Sequence, residues 1–195
     1  MKVLIHRASL KLGLRWTQRI LFAGAAVALG YCGFVTMDTW RFQHLGRQHF
    51  ENLLQTRSAG SPEIGTDGLI GRIEILRLGV SALVVEGTGE RALQRATGHI
   101  AGTALPGQVG NVGIAGHRDT FFRPLRNVQR DDLITLATLR GDYRYRVVSS
   151  QVVDPTDVGV LKPDGSETLT LVTCYPFYFV GAAPDRFIVR AKRVL

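Results

Sequence analysis

The chain has 195 residues, 45% of them hydrophobic, and 24 Lys and Arg against 16 Asp and Glu give a formal net charge of +8. That length accommodates one ordinary domain plus an appendage, with enough apolar content for a real core. Five basic residues (Lys2, Arg7, Lys11, Arg15 and Arg19) precede the first acidic one, Asp38, which leaves 19 basic against 16 acidic residues in the rest, a net +3. So small an excess, with no accompanying motif, argues against a nucleic-acid partner.

The leader, residues 1–19, is followed by 18 uncharged residues from Ile20 to Met37. As a helix this run spans roughly 27 Å, close to the hydrocarbon thickness of a bilayer. The positive-inside rule keeps the leader in the cytoplasm and sends the rest outside. The expectation is a single-pass anchor over 20–37 in the cytoplasmic membrane, the leader touching anionic lipid. Ala26-Val27-Ala28 offers a signal-peptidase site as the rival. Cleavage there would leave only Ile20–Ala25 as the apolar region, so the uncleaved anchor is preferred.

Residues 38–67 read as stalk and linker: a helix over 38–57 with scattered large apolar residues (Trp40, Phe42, Leu45, Phe50), then Gly60, Pro62 and Gly65. From residue 68 the pattern changes to short apolar runs between turn residues. It predicts strands near 69–76, 80–86, 111–116, 132–139, 143–153, 168–174 and 187–194. Gly141-Asp142 suggests a hairpin turn, and 90–97 a short helix. Many short strands with little helix argue for a closed or sandwiched β fold. The 14 residues from Asp154 to Glu167 form a long connection, and loops of that length are often functional. Within it Val158, Val160 and Leu161 either line a groove or tuck the loop onto the barrel.

Chemistry centres on Thr170-Leu171-Val172-Thr173-Cys174. Free cysteine is commonly a small buried hydrophobe, so the placement alone favours packing. The other cysteine, Cys32, lies in the membrane segment, so Cys174 is an unpaired thiol in an oxidising compartment and a flag for reactivity. His117, in Gly113-Ile114-Ala115-Gly116-His117-Arg118-Asp119-Thr120, precedes it by 57 positions. Gly113, Ala115 and Gly116 leave room there for backbone or substrate to come close. His99 is a competing base, whereas His44 and His49 belong to the stalk. Arg186 follows Cys174 by 12 positions in Pro184-Asp185-Arg186-Phe187. By strand parity it groups with Ile188, Arg190 and Lys192, which by itself describes one more solvated cation.

Taken together, the T-L-x-T-C element with His117 upstream and Arg186 downstream resembles the sortases, membrane-anchored cysteine transpeptidases, and most closely class D. The resemblance covers about residues 68–195. It implies a mainly β fold, a closed eight-stranded sortase-type barrel with short helices after one transmembrane helix, although only seven strands are legible. It also implies that Cys174 is the nucleophile, His117 the general acid and base, and Arg186 the donor that steadies the oxyanion or positions substrate. An ordinary thiol is only about 3% ionised at neutral pH, so a nearby imidazolium serves it twice, favouring thiolate and then protonating the leaving amine. The implied partners are secreted proteins bearing an LPxTG-like sorting signal and an amine acceptor, either a peptidoglycan precursor or a protein.

The same resemblance assigns the 154–167 loop, with Val158, Val160 and Leu161, to the substrate groove. Thr173 and Tyr175 are candidate substrate contacts, and Tyr175 to Phe179 either wall an apolar channel or pack together. Some sortases bind calcium between two acidic loops. Here residues 100–111 contain no acid, so no metal and no cofactor are expected. Asp119 receives no catalytic role. Two alternatives stay open: a thiol peptidase in which water resolves the thioester, and a membrane-tethered β-barrel binding module with an inert cysteine.

Overall fold

A computed structural model describes residues 7–55, 63–65, 67–179 and 181–194. The chain forms two compact units, Met1–Arg41 and Phe42–Leu195. A helix, α1 (Arg7–Gln55), begins in the first unit and ends in the second. In the first unit it presents Leu21, Phe22, Val27, Leu29 and Phe34 uncovered. An 18-residue window of this helix has a mean hydropathy of 1.9 with none of it buried, so it is long and apolar enough to cross a membrane.

The second unit is an eight-stranded closed barrel: β1 (Leu69–Ile75), β2 (Val80–Glu86), β3 (Thr97–His99), β4 (Gly110–Ala115), β5 (Leu133–Thr138), β6 (Asp142–Val153), β7 (Glu167–Tyr175) and β8 (Asp185–Val194). The strands run in the order β1-β2-β3-β4-β7-β8-β6-β5, and β5 pairs back on β1. Seven of them match the expected runs to within two residues. The eighth, β3, has three residues, too few for any periodicity to register. It pairs parallel to β2 and antiparallel to β4. The helix expected over 90–97 is α2 (Glu90–Arg95), and Thr97 belongs to β3 instead. Gly141 and Asp142 do sit at a hairpin, between β5 and β6.

Strand alternation fills the barrel. Ile73 and Ile75 of β1, Val112 and Ile114 of β4, Leu169 and Leu171 of β7, and Val189 and Ala191 of β8 share one interior cluster. Phe122 and Leu125, both fully buried in the β4–β5 connection, complete it. A second cluster lies outside the barrel wall. There the end of α1, through Phe42, Phe50, Leu53 and Leu54, covers Leu69, Leu83, Val85, Ala137 and Leu139. Polar anchors fix the covering helix: the Gln43 amide donates to the Arg95 carbonyl at 2.6 Å, and Arg47 donates to the Ser81 carbonyl at 2.8 Å. The last turns of the segment read as stalk thus pack within the barrel unit. The linker that follows it lies largely outside the described residues.

The register across β4, β7 and β8 governs the site. β7 lies parallel to β4, with Ala115 opposite Val172, and antiparallel to β8, with Cys174 opposite Arg186. Because Leu169 and Leu171 point inward, Thr168, Thr170, Val172 and Cys174 point outward.

Candidate active site

Cys174 and Arg186 are directly opposed on neighbouring antiparallel strands. Such pairs hold their Cβ atoms about 5 Å apart on one face of the sheet. Phe187 and Val189 of β8 contribute to the interior cluster, so Arg186, Ile188 and Arg190 share the outer face with Cys174. Cys174 is half-buried and its thiol is free. The Arg186 guanidinium is anchored at one nitrogen, Nη1, which donates to the Asp185 and Ala183 carbonyls at 3.0 and 3.3 Å. Its remaining N–H groups form no protein hydrogen bond described for it.

His117 joins them through the parallel ladder. The Gly116 amide still bonds the Val172 carbonyl at 3.1 Å, and the Thr173 hydroxyl donates to the Gly116 carbonyl at 2.8 Å. Extending the Ala115–Val172 register by two residues sets His117 level with Cys174. Alternation continues past the strand: Gly116 is buried, His117 exposed and Arg118 buried. A Cβ on Gly116 would lie 2.7 Å from the Phe122 ring, which places that side of the chain against the interior. His117 is therefore exposed just past the end of β4, the strand that flanks β7 on the side away from β8.

The small residues before His117 accommodate the protein itself. Gly113 meets Ile100 and Thr103, and Gly116 meets Phe122, so at these two positions the room expected for backbone or substrate is taken by neighbouring side chains. His99, the competing base, is buried with both ring nitrogens engaged. Nδ1 lies 2.8 Å from the Glu86 carboxylate, and Nε2 lies 3.0 Å from both the Ala104 carbonyl and the Thr103 hydroxyl. It braces the loop that leads into β4.

The two residues flanking Cys174 lie on the side of β7 that faces the barrel interior. Thr173 is 2% exposed, with its hydroxyl committed to Gly116. Tyr175 packs on the interior cluster, edge-on to Phe177 and stacked with Phe187 at centroid distances of 5.9 and 6.2 Å. Odd and even positions of a strand cannot face the same way, so both serve the barrel while Cys174 serves the surface. Tyr178 and Phe179, farther along, are exposed.

The 154–167 loop is less irregular than its composition suggests, because Val158–Leu161 form a 3-10 turn capped by the Asp157 side chain on the Gly159 amide. Val158 projects into solvent, whereas Val160 and Leu161 are half-buried. The Asn111 amide donates to the Val160 carbonyl at 3.2 Å, and its oxygen accepts from Thr170 at 2.8 Å. This latches the loop over the outer face of β4 and β7. At the loop's far end Asp164 meets Arg190 at 3.1 Å. Between loop and sheet lies a cavity of about 170 Å³ lined by Ser149, Gln151, Val160, Ile188 and Arg190.

The loop acids are used locally. Thr156 donates to Asp154 through its hydroxyl and amide and holds that carboxyl below the usual carboxylate range, as Ser166 does for Asp164. Among the described residues no three of His, Cys, Asp and Glu are grouped to hold a metal ion.

Two contributors escaped the sequence reading. Asn111, at the start of β4, is 1% exposed. Arg118, next to His117, is 7% exposed and donates to the Pro176 carbonyl at 2.8 Å while pairing with Asp119. The only signal for Arg118 was its position beside the histidine.

A closed barrel with a free thiol opposite a guanidinium, and a histidine just past the end of the adjoining strand, has the groups that a cysteine acyl-transfer enzyme uses. Residues 73–194 match the family model described as the sortase domain, and the chain belongs to the sortase family of cysteine transpeptidases. Sortase D of Bacillus subtilis (strain 168) is 30% identical over 192 residues, covering 90% of this chain and 96% of that protein. Sortase SrtE1 of Streptomyces coelicolor is 32% identical over 189 residues, covering 83% of this chain and 52% of that one. The solved structure of a Clostridium perfringens sortase D5 transpeptidase superposes with a TM-score of 0.62 at 30% identity, covering 79% of this chain and 96% of that one. Sortase A of Listeria monocytogenes gives 0.61 at 26% identity, with 66% and 89% covered. The expected class D likeness and the eight-stranded barrel both stand.

Proposed function

We propose that Cys174 attacks the carbonyl of an LPxTG-like sorting signal on a secreted protein, and that an amine of the cell envelope or of another protein resolves the thioester. The opposition of Cys174 and Arg186, with His117 just past the end of the strand on the other side, carries this reading. The thiolate adds to the scissile carbonyl, and the two unanchored sides of the Arg186 guanidinium donate to the oxygen as it becomes an oxyanion. His117 protonates the departing amine, which breaks the C–N bond and leaves the acyl group on sulfur. It then takes a proton from the incoming amine as that nitrogen displaces Cys174. Val160 and Leu161, with the cavity beside Ile188, hold the apolar part of the signal.

In the same reading α1 is a single-pass anchor with its basic leader inside and the barrel outside, close to where secreted proteins emerge. Transfer to an amine rather than water is supported by the name of the D5 relative, itself a transpeptidase. The test incubates the full-length chain in detergent with sorting-motif peptides, with and without an amine acceptor, and follows the adduct on Cys174 by mass spectrometry. Expected are a covalent acyl adduct, its discharge as an amide when the acceptor is present, and neither in Cys174→Ala. Turnover by Cys174→Ala would end the proposal.

A further inference from the structure

Arg118 is a nearly buried guanidinium that the chemistry above does not use. Burying such a charge is costly unless its donors are met. They are met in two directions: Nη1 donates to the Pro176 carbonyl at 2.8 Å, while Nε and Nη2 fork onto the Asp119 carboxylate at 3.3 Å each. Pro176 lies two residues beyond Cys174, on the chain leaving β7. Arg118 lies one residue beyond His117, on the chain leaving β4. One side chain therefore ties together the two segments that carry the thiol and the imidazole.

It does so where the ladder has run out. The last bonds between β4 and β7 are the Gly116 amide to Val172 and the Thr173 hydroxyl to Gly116, both before His117. Beyond that point the His117 carbonyl is held from its own side by the Phe122 amide at 3.1 Å and the Thr120 amide at 3.4 Å. The Arg118–Pro176 bond is the cross-connection that spans from this turn to the chain after Cys174.

We propose that Arg118 is a positioning residue for acyl transfer, setting the approach of His117 to Cys174 without touching the reacting atoms. The role rests on the assignment of Cys174 as nucleophile and His117 as base. A direct oxyanion contact is disfavoured, since the Arg118 donors described are spent on Pro176 and Asp119, and that role falls to Arg186. Reacting groups displaced by about 1 Å can lose about a hundredfold in rate. Cutting this tie acts through such a displacement.

The experiment uses the full-length chain in detergent and a sorting-motif peptide, with single-turnover acylation and alkylation of Cys174 by iodoacetamide each measured against pH. Arg118→Met is expected to slow acylation at saturating peptide about 30-fold with KM within about twofold. Its alkylation profile should move toward that of His117→Ala, because a misplaced imidazole no longer influences the thiol. Arg77→Met, which breaks the ion pair with Asp132 and the bond to the Asn127 carbonyl at the far end of the β4–β5 connection, is expected to lower the melting temperature without changing either readout. Arg118→Lys keeps one donor for Pro176 but loses the fork, and should acylate at about a third of the parent rate. It carries the test if Arg118→Met does not fold.

Parent rate and parent pH profile in Arg118→Met, or in Arg118→Lys where that variant carries the test, overturn the proposal. So does a slowing matched by Arg77→Met, which would make Arg118 a stability element only. Cys174→Ala separates the two levels. If it still acylates, the site assignment and the positioning role fall together. If it is inert while the Arg118 variants behave as the parent, only the positioning role falls.

Discussion

Cys174 and Arg186 oppose each other across the β7–β8 pair, and Arg186 also opposes Val153 of β6 on its other side. A guanidinium in that central position can direct two donors at one oxygen while a third nitrogen stays anchored on Ala183 and Asp185. Arg186→Ala is expected to lower kcat for peptide cleavage about 10²- to 10³-fold, the usual loss for an oxyanion donor. Arg186→Lys should recover only a small part, because an ammonium lacks the fork. Steady-state kcat and KM for both variants, with Cys174 alkylation as a check on the nucleophile, decide the matter.

The two barrel histidines should separate cleanly. His117→Ala is expected to lose about 10²- to 10⁴-fold in turnover, as general acid–base groups do. His99→Phe should instead cost stability, on the order of 1–3 kcal/mol, by leaving the Ala104 carbonyl and the Glu86 carboxylate without their partner. Its folded fraction should keep turnover within a few-fold of the parent. Parallel thermal melts and kinetics of the two variants make the comparison.

Asn111 joins β4, β7 and the 154–167 loop through one amide. Asn111→Ala frees the Val160 carbonyl, and a bond of that kind contributes about 1 kcal/mol. The expected outcome is a KM for the sorting peptide raised several-fold, with the rate of Cys174 alkylation unchanged. An unchanged KM would remove the loop from substrate binding.

Acid should weaken the barrel through Asp132. The Arg77 side chain bonded to it holds this carboxyl well below the usual range, assisted by the Gln129 amide. A carboxyl lowered in the folded state stabilises the fold above its unfolded value of about 3.9, and that contribution is lost as pH falls through the lower folded value. Melting temperatures from pH 6 down to about 2 should therefore fall less steeply for Asp132→Asn than for the parent. The variant should start lower at pH 6, where it lacks the ion pair.

Most of the barrel was legible because alternation is a local signal. Leu169, Leu171 and Thr173 on one side and Thr168, Thr170 and Val172 on the other announce a strand wherever it pairs. β3 was hidden because three residues, Thr97–His99, show no period, and its partners are the strands before and after it, outside the run itself. The packing of the two neighbours of Cys174 was not legible for a related reason. Nearness in sequence suggested nearness in space, whereas pleating turns Thr173 and Tyr175 to the opposite face.

By itself the sequence determined an apolar helix long enough for a bilayer, seven β runs, and three chemically apt residues whose motif resembles one enzyme family. Only the tertiary structure decided which of those residues meet. β4 and β7 are separated by two strands and three connections, and their parallel pairing, ending with Ala115 opposite Val172, brings the chain just before His117 alongside the chain just before Cys174. The β7–β8 register then sets Arg186 opposite the same thiol. His99 is engaged by Glu86 and Ala104, and Arg118 is brought onto Pro176. Register and burial are properties of paired strands, and no single run of residues contains its partner.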